Sequence, residues 1–244
     1  FGVEWGASDM LLVPGDYDGD GIADLAVYDG NAGLWYIISA QGAPIAWAAP
    51  WGGAGLEPVR GDYDGDGISD LAVYDVNAGL WYIINTQGEQ LAWALFWGGV
   101  GYEPVWGDYD GNMKDDLTVY DTRIIYDQSI GRWYSRTVSG QILDWATYWY
   151  GSDPMTPVAG DYDGDKVSDL GMYDKYSAYW HICRMDGVYY YSKDQWGGPG
   201  LVAVPGDYDG DMVSDMAVYN EATACWSIWS LSRGLILDGF AWGW

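Results

Sequence analysis

Short runs in which almost every position is apolar recur along the chain: Leu25–Tyr28, Leu71–Tyr74, Leu117–Tyr120, Leu170–Tyr173 and Met216–Tyr219. Each alternates as a strand does, yet both of its faces are apolar, so it must be sandwiched between neighbouring sheets. Polar, glycine-rich stretches flank these runs and supply turn chemistry. In the second such unit the pattern predicts four short strands, Glu57 to Gly61, Asp70 to Tyr74, Leu80 to Asn85 and Gln90 to Phe96. Helical periodicity is sustained nowhere, and the fold class is all-β.

The unit repeats five times. GDYDG begins at Gly15, Gly61, Gly107, Gly160 and Gly206, with spacings of 46, 46, 53 and 46. Of the seven extra residues in the third interval, six lie between Asp121 and Gly131 and one in the segment after Tyr150, and both read as loop insertions. Trp35, Trp81, Trp133, Trp180 and Trp226 share one repeat position, and Trp51, Trp97, Trp149, Trp196 and Trp242 follow them by 16 residues. A repeated four-stranded unit of about 45 residues is the signature of a propeller blade, whereas the rungs of a right-handed β-helix are shorter. The expectation is one domain spanning 1–244, a five-bladed β-propeller of four-stranded antiparallel blades closed into a monomeric ring. Residues 1–7 align with 238–244, pairing Trp5 with Trp242, so the termini carry two partial copies of one outer-strand end. Either the N-terminal copy or Gly234 to Trp244 completes the last blade.

Composition narrows the partners. With 36 acidic against 10 basic residues the net charge is −26, which opposes nucleic acid and anionic membrane surfaces alike. A 49% hydrophobic and 17% aromatic chain has enough apolar mass for a large core and is not disordered. No stretch approaches the roughly 18 apolar residues that span a bilayer, so a soluble chain is expected. It begins at Phe1 without a leader, which reads as a mature secreted product or a piece of a longer polypeptide. Cys183 and Cys225 occupy different repeat positions and read as free thiols, neither in the His-and-acid setting of a nucleophile.

The aspartates carry the chemistry. Asp16, Asp18, Asp20 and Asp24 stand at positions 1, 3, 5 and 9 of the first loop. The same pattern holds Asp62, Asp64, Asp66 and Asp70, then Asp161, Asp163, Asp165 and Asp169, then Asp207, Asp209, Asp211 and Asp215. The third loop has Asp108, Asp110, Asn112 and Asp116, so these loops hold 19 of the 31 aspartates. Carboxylates converging on one loop repel unless a cation neutralises them, and hard oxygen ligands on a flexible loop favour calcium. Asp29, Asp75, Asp121 and Asp174, with Asn220 in the last unit, follow the second strand and read as hairpin-turn residues.

The D-x-D-G-D-G-x-x-D motif followed by D-L-x-V-Y resembles the FG-GAP or VCBS repeats of integrin α-subunit heads and bacterial extracellular proteins, over essentially the whole chain. The resemblance implies an extracellular or cell-surface location and up to five Ca²⁺ ions. It also implies a further backbone-carbonyl ligand at position 7, which is Ile22, Ile68, Lys114, Val167 and Val213. Position 6 departs from the pattern. Gly21 and Gly67 keep its glycine, but Met113, Lys166 and Met212 replace it, losing a residue free to take positive φ. Asn112 and Lys114 make the third loop the expected weakest site.

Aromatics at the repeated positions are expected to fill the spaces between blades. Trp106, Tyr102, Tyr126, Tyr148, Tyr150, Tyr176 and Tyr189 to Tyr191 break the repeat and are the candidate ligand contacts. The expected function is carbohydrate binding in the manner of a lectin, with a structural or protein-adhesion scaffold as the alternative. Catalysis is not expected. Glu57 and Glu103 have no carboxylate counterparts in the other units and read as hairpin-edge residues, and His181 takes the place of Tyr36, Tyr82 and Tyr134 as a packed or surface side chain.

Overall fold

A computed structural model describes residues 10–39, 41–121, 123, 130–150, 155–193, 195–220, 222–223 and 225–241. It contains twenty strands in five antiparallel four-stranded sheets, each in simple meander order. Blade 1 comprises β1 (Leu11–Leu12), β2 (Leu25–Asp29), β3 (Leu34–Ile38) and β4 (Pro44–Pro50), and blade 2 comprises β5 (Leu56–Val59), β6 (Leu71–Asp75), β7 (Leu80–Ile84) and β8 (Gln90–Phe96). Blade 3 follows with β9 (Tyr102–Val105), β10 (Leu117–Asp121), β11 (Ile130–Arg136) and β12 (Ile142–Tyr150), and blade 4 with β13 (Thr156–Pro157), β14 (Leu170–Asp174), β15 (Tyr179–Cys183) and β16 (Tyr189–Lys193). Blade 5 is β17 (Val202–Ala203), β18 (Met216–Asn220), β19 (Cys225–Ser230) and β20 (Gly234–Ala241). The chain is a five-bladed β-propeller. In blade 2 the predicted strands stand, but the first ends two residues short of Gly61 and the second begins one residue late, because Asp70 is drawn into the loop between them.

The first strand of each blade lies nearest the axis. Arg60, just after β5, is within electrostatic reach of Tyr17, Tyr63, Asp115 and Tyr208, which belong to four different blades. Its guanidinium stacks 3.7 Å from the centre of the Trp106 ring. Trp106, a candidate ligand contact, is half-buried and holds this cation–π contact near the axis.

Blades pack through a repeated contact. Tyr17, Tyr28, Trp35 and Ile37 of blade 1 meet Leu71 and Val73 of blade 2, and equivalent clusters join blades 2 and 3, 3 and 4, and 4 and 5. Trp35, Trp81, Trp133 and Trp180 are fully buried, and three of them donate their indole N–H to the carbonyl of the tryptophan 16 residues on. The aspartate loops add a polar hook. Ser69, Asp115, Ser168 and Ser214, at loop position 8, each donate a backbone N–H to the position-1 carbonyl of the preceding blade, at 2.6 Å in every case. The approach is so close that a Cβ on Gly15 or Gly160 would sit 2.6 or 2.5 Å from the facing serine hydroxyl.

The fifth junction, between blades 5 and 1, differs from the other four. Among the described residues no apolar cluster joins blade 5 to blade 1, and no hook runs from Ala23 to Asp207. Tyr208 is 40% exposed where its four counterparts are 2–3%, and Leu25 is 44% exposed where Leu71, Leu117 and Leu170 are 0–6%. One physical difference lies in loop 1. Asp115 and Ser168 accept a backbone N–H from the preceding loop through their side chains, at 2.8 and 3.1 Å, and Ala23 has no atom that can. The outer-strand slot of blade 5 is filled by β20 from the C-terminal copy. The N-terminal copy with Trp5, most of the insertion with Tyr126, and Trp242 lie outside the described residues, as do the side chains of Tyr148, Trp149, Tyr150 and Tyr189–Tyr191.

This asymmetry is measurable. Leu71→Ala should cost about 2 to 4 kcal/mol in chemical denaturation, as a filled core position does. The same change at Leu25 should cost less than about 1 kcal/mol. Equal losses would mean that the last junction is packed in solution.

Candidate metal loops and an aromatic cleft

Each aspartate loop connects the first two strands of its blade, and its shape is set by the carboxylates themselves. The position-1 aspartate accepts the N–H of position 4 on one oxygen and of position 6 on the other: in loop 1, Gly19 and Gly21 onto Asp16 at 2.7 and 2.8 Å. The same pair recurs in all five loops. For the second of these bonds position 6 must adopt positive φ. Gly21 and Gly67 do so freely, while Met113, Lys166 and Met212 adopt it at 66°, 69° and 66° despite their side chains. The loop shape thus survives the loss of glycine, at a steric cost of about 1 kcal/mol per residue.

Three carboxylates converge in every loop. Asp16, Asp18 and Asp24 bring one oxygen each within 4.8 Å of one another, as do Asp108, Asp110 and Asp116, then Asp161, Asp163 and Asp169, then Asp207, Asp209 and Asp215. In loop 2 the converging set is Asp62, Asp64 and Asp66, with Asp70 beside it. Positions 1, 3 and 9 are therefore gathered in four loops, and the position-5 aspartates of loops 1, 4 and 5 (Asp20, Asp165, Asp211) are not in those sets. In four loops the position-5 side chain also accepts the N–H of position 7, from Ile22, Ile68, Val167 and Val213, whether or not it joins the converging set. The position-7 residues could bring only a backbone carbonyl, Lys114 included.

Position 9 is the buried end of the site. Asp24, Asp70, Asp116, Asp169 and Asp215 are 0–3% exposed. One oxygen of each accepts the N–H of the tyrosine at position 2, at 2.6–2.9 Å. The other oxygen of Asp24 is buried with no hydrogen bond. Burial raises the carboxyl pKa of Asp70 to about 8 and of Asp116 to about 7, with the neighbouring aspartates adding to it against the tyrosine N–H. Asp24, Asp62 and Asp215 are raised for the same first reason. A cradle of crowded hard oxygens, one of them buried and unsatisfied, fits a divalent cation of the calcium type.

The hairpin aspartates do as the sequence suggested. Asp29, Asp75, Asp174 and Asn220 each accept two turn N–H groups. Asp121 also pairs with Arg123, which reaches on to Tyr102 and holds that candidate ring in place. Cys183 is buried and Cys225 half-buried, and neither is in a disulfide. Glu57 and Glu103 are exposed, and His181 is half-buried against Tyr179.

At the opposite end of the blades, the β2–β3 turn and the β4–β5 connection border a cleft of about 320 Å³ between blades 1 and 2. Trp51, Tyr82 and Trp93 line it with Pro50, Leu56 and Val73, and no carboxylate does. Trp93 is 62% exposed and packs edge-on against both Tyr82 and Trp51. Its counterpart Trp47 is 68% exposed, edge-on to Tyr36. Both tryptophans directly precede a bulged residue, Ala48 or Ala94, at φ near 51–52°, and a bulge of this kind re-aims the side chain beside it. Sequence reasoning missed this set, although Trp47, Trp93 and Trp145 share one repeat position, which Ser192 and Asp238 occupy in blades 4 and 5. Tyr176, a predicted contact, borders a second cleft of about 440 Å³ between blades 4 and 5, beside Lys175.

No family model matches the chain, and no curated protein does. Solved structures share the fold. A Bacteroides caccae protein of unknown function is 12% identical over 93% of this chain and 71% of its own, with a TM-score of 0.50. An Agrocybe aegerita lectin, described as recognising non-reducing terminal N-acetylglucosamine, is 14% identical over 92% of this chain, with a TM-score of 0.52. This chain spans 63% of that lectin's length.

The raised pKa values fix a pH dependence. Between the unfolded value of 3.8 and about 8, the folded chain keeps protons on Asp70 and Asp116 that the unfolded chain has released. In chelator, stability from these groups is therefore full below about pH 4 and is lost as the pH rises through about 7 to 8. The denaturation midpoint in EGTA should fall over that range, and Asp70→Asn should flatten the slope.

Proposed function

We propose that the chain is a calcium-stabilised extracellular or cell-surface propeller module that binds neutral carbohydrate. The observation that carries the carbohydrate reading is the pair of exposed tryptophans, Trp47 and Trp93, set on bulged outer strands of adjacent blades beside an aromatic cleft. Indole faces stack on the C–H face of a sugar ring without requiring charge on the ligand. Strain retained at Ala48 and Ala94 to aim these rings is the kind of outlier that marks a binding surface. The net charge of −26 disfavours sulfated or uronate-rich polymers, even with an ion in every loop. A cleft without a carboxylate pair suits binding and not glycoside hydrolysis. The Agrocybe aegerita lectin shares the fold, which makes the reading compatible with the architecture and no more.

In this reading the aspartate loops hold calcium through positions 1, 3 and 9, as the resemblance to FG-GAP repeats implies. The ion would supply positive charge only; the chain's own residues do the positioning. A second reading, a protein-adhesion scaffold, is favoured by the uncovered apolar faces at Leu25 and Tyr208.

A glycan array in calcium tests the choice. Binding to neutral glycans should persist in moderate salt. Trp93→Ala should weaken it by about tenfold, with the melting temperature unchanged, since loss of a stacked ring is worth about 1.4 kcal/mol. Tight, salt-sensitive binding to heparin would refute the charge argument, and an array with no neutral ligand would leave the scaffold reading.

A further inference from the structure

Loops 4 and 5 differ from the other three in one respect that the repeat does not predict. In blade 4 the turn between the third and fourth strands carries Arg184, whose guanidinium lies 3.5 Å from Asp163 and 3.5 Å from Asp165. In blade 5 the same turn carries Arg233, 3.4 Å from the Asp209 carboxylate and donating to the Asp209 backbone carbonyl at 3.1 Å. Asp163 and Asp209 are position-3 members of the converging sets. The equivalent turns of blades 1 to 3 begin with Ser39, Asn85 and Thr137, which are uncharged. Asn85 reaches Asp64 through its amide, and Thr137 and Ser39 bond within their own turns. Lys114 of loop 3 is directed elsewhere, its stem lying over Gly65 of the loop before it. Buried carboxylate oxygens without a hydrogen bond are found in loop 1, at Asp24, and in loop 5, at Asp209 and Asp215, where Arg233 meets Asp209 as an ion pair.

We propose that Arg184 and Arg233 are built-in counter-cations of loops 4 and 5, so that the chain binds calcium at full affinity in loops 1 to 3 and weakly in the other two. The inference rests on the calcium reading of the loops. A guanidinium touching a ligand carboxylate removes the repulsion that an ion would otherwise relieve, and repels the ion itself. At these distances the effect on affinity is on the order of tenfold or more. The weakest sites are then loops 4 and 5, and not the loop at Asp108 on which Asn112 and Lys114 had placed that expectation.

Calcium titration of the whole chain by calorimetry decides it. The expected result is three ions bound tightly, rising to four in Arg184→Ala or Arg233→Ala and to five in the double variant, with Arg184→Lys remaining near three. In EGTA the double variant should melt below the parent, and calcium should restore it. Five equivalent sites in the parent, or a stoichiometry unmoved by either alanine, would overturn the inference and leave the calcium reading intact. A variant whose melting temperature drops equally with and without calcium would show a purely structural arginine and also overturn it. No binding to the parent or the double variant would remove the calcium reading itself, and the inference with it.

Discussion

Crowding of carboxylate oxygens at one end of every blade is the constraint on which the rest depends. At four junctions the same loop that gathers three aspartates also hooks its blade to the next through the position-1 carbonyl and the position-8 N–H. Repulsion within a loop therefore bears directly on the junction between blades. The position-1 aspartate is the joint: its side chain shapes the loop by accepting two N–H groups, and its backbone receives the neighbour. Whatever neutralises the loop stiffens the ring.

The aromatic residues divide by strand. The repeated tryptophans Trp35, Trp81, Trp133 and Trp180 on the third strands of blades 1 to 4 are spacers, buried between sheets, and they give those junctions their apolar contact. Trp47 and Trp93, on the outer strands of blades 1 and 2, face solvent, each beside a bulge. One residue type thus serves stability and recognition, and the position within the blade decides which. The last junction shows the same contact in its absence, since Tyr208 and Leu25 are chemically equipped for it and remain exposed.

The sequence made the blade legible because its punctuation is strict: glycine at the close approach, five aspartate loops in register, and an apolar run buried on both faces. The gathering of positions 1, 3 and 9 was legible in outline, but which of the four carboxylates converge was not: Asp66 joins the set of loop 2 while Asp20 is outside that of loop 1, although both accept the same turn N–H. Trp47 and Trp93 escaped notice because a bulge, invisible in composition, sets their direction. Arg184 and Arg233 escaped because they meet the aspartates from a turn 21 and 24 residues further along the chain. Positive φ at Met113 and its counterparts shows that a hydrogen bond to Asp108 outweighs a local steric preference.

On the proposed calcium reading, the converging carboxylates need a cation and the ring depends on it. Thermal unfolding of the whole chain in roughly millimolar calcium and in excess EGTA tests this most directly. Extracellular-type sites with a Kd of roughly 10⁻⁴ to 10⁻³ M would each contribute about 0.4 to 1.4 kcal/mol at that concentration. Several such sites acting together should raise the melting temperature by many degrees, in a single cooperative transition. Superimposable melting curves in calcium and in EGTA would contradict the account.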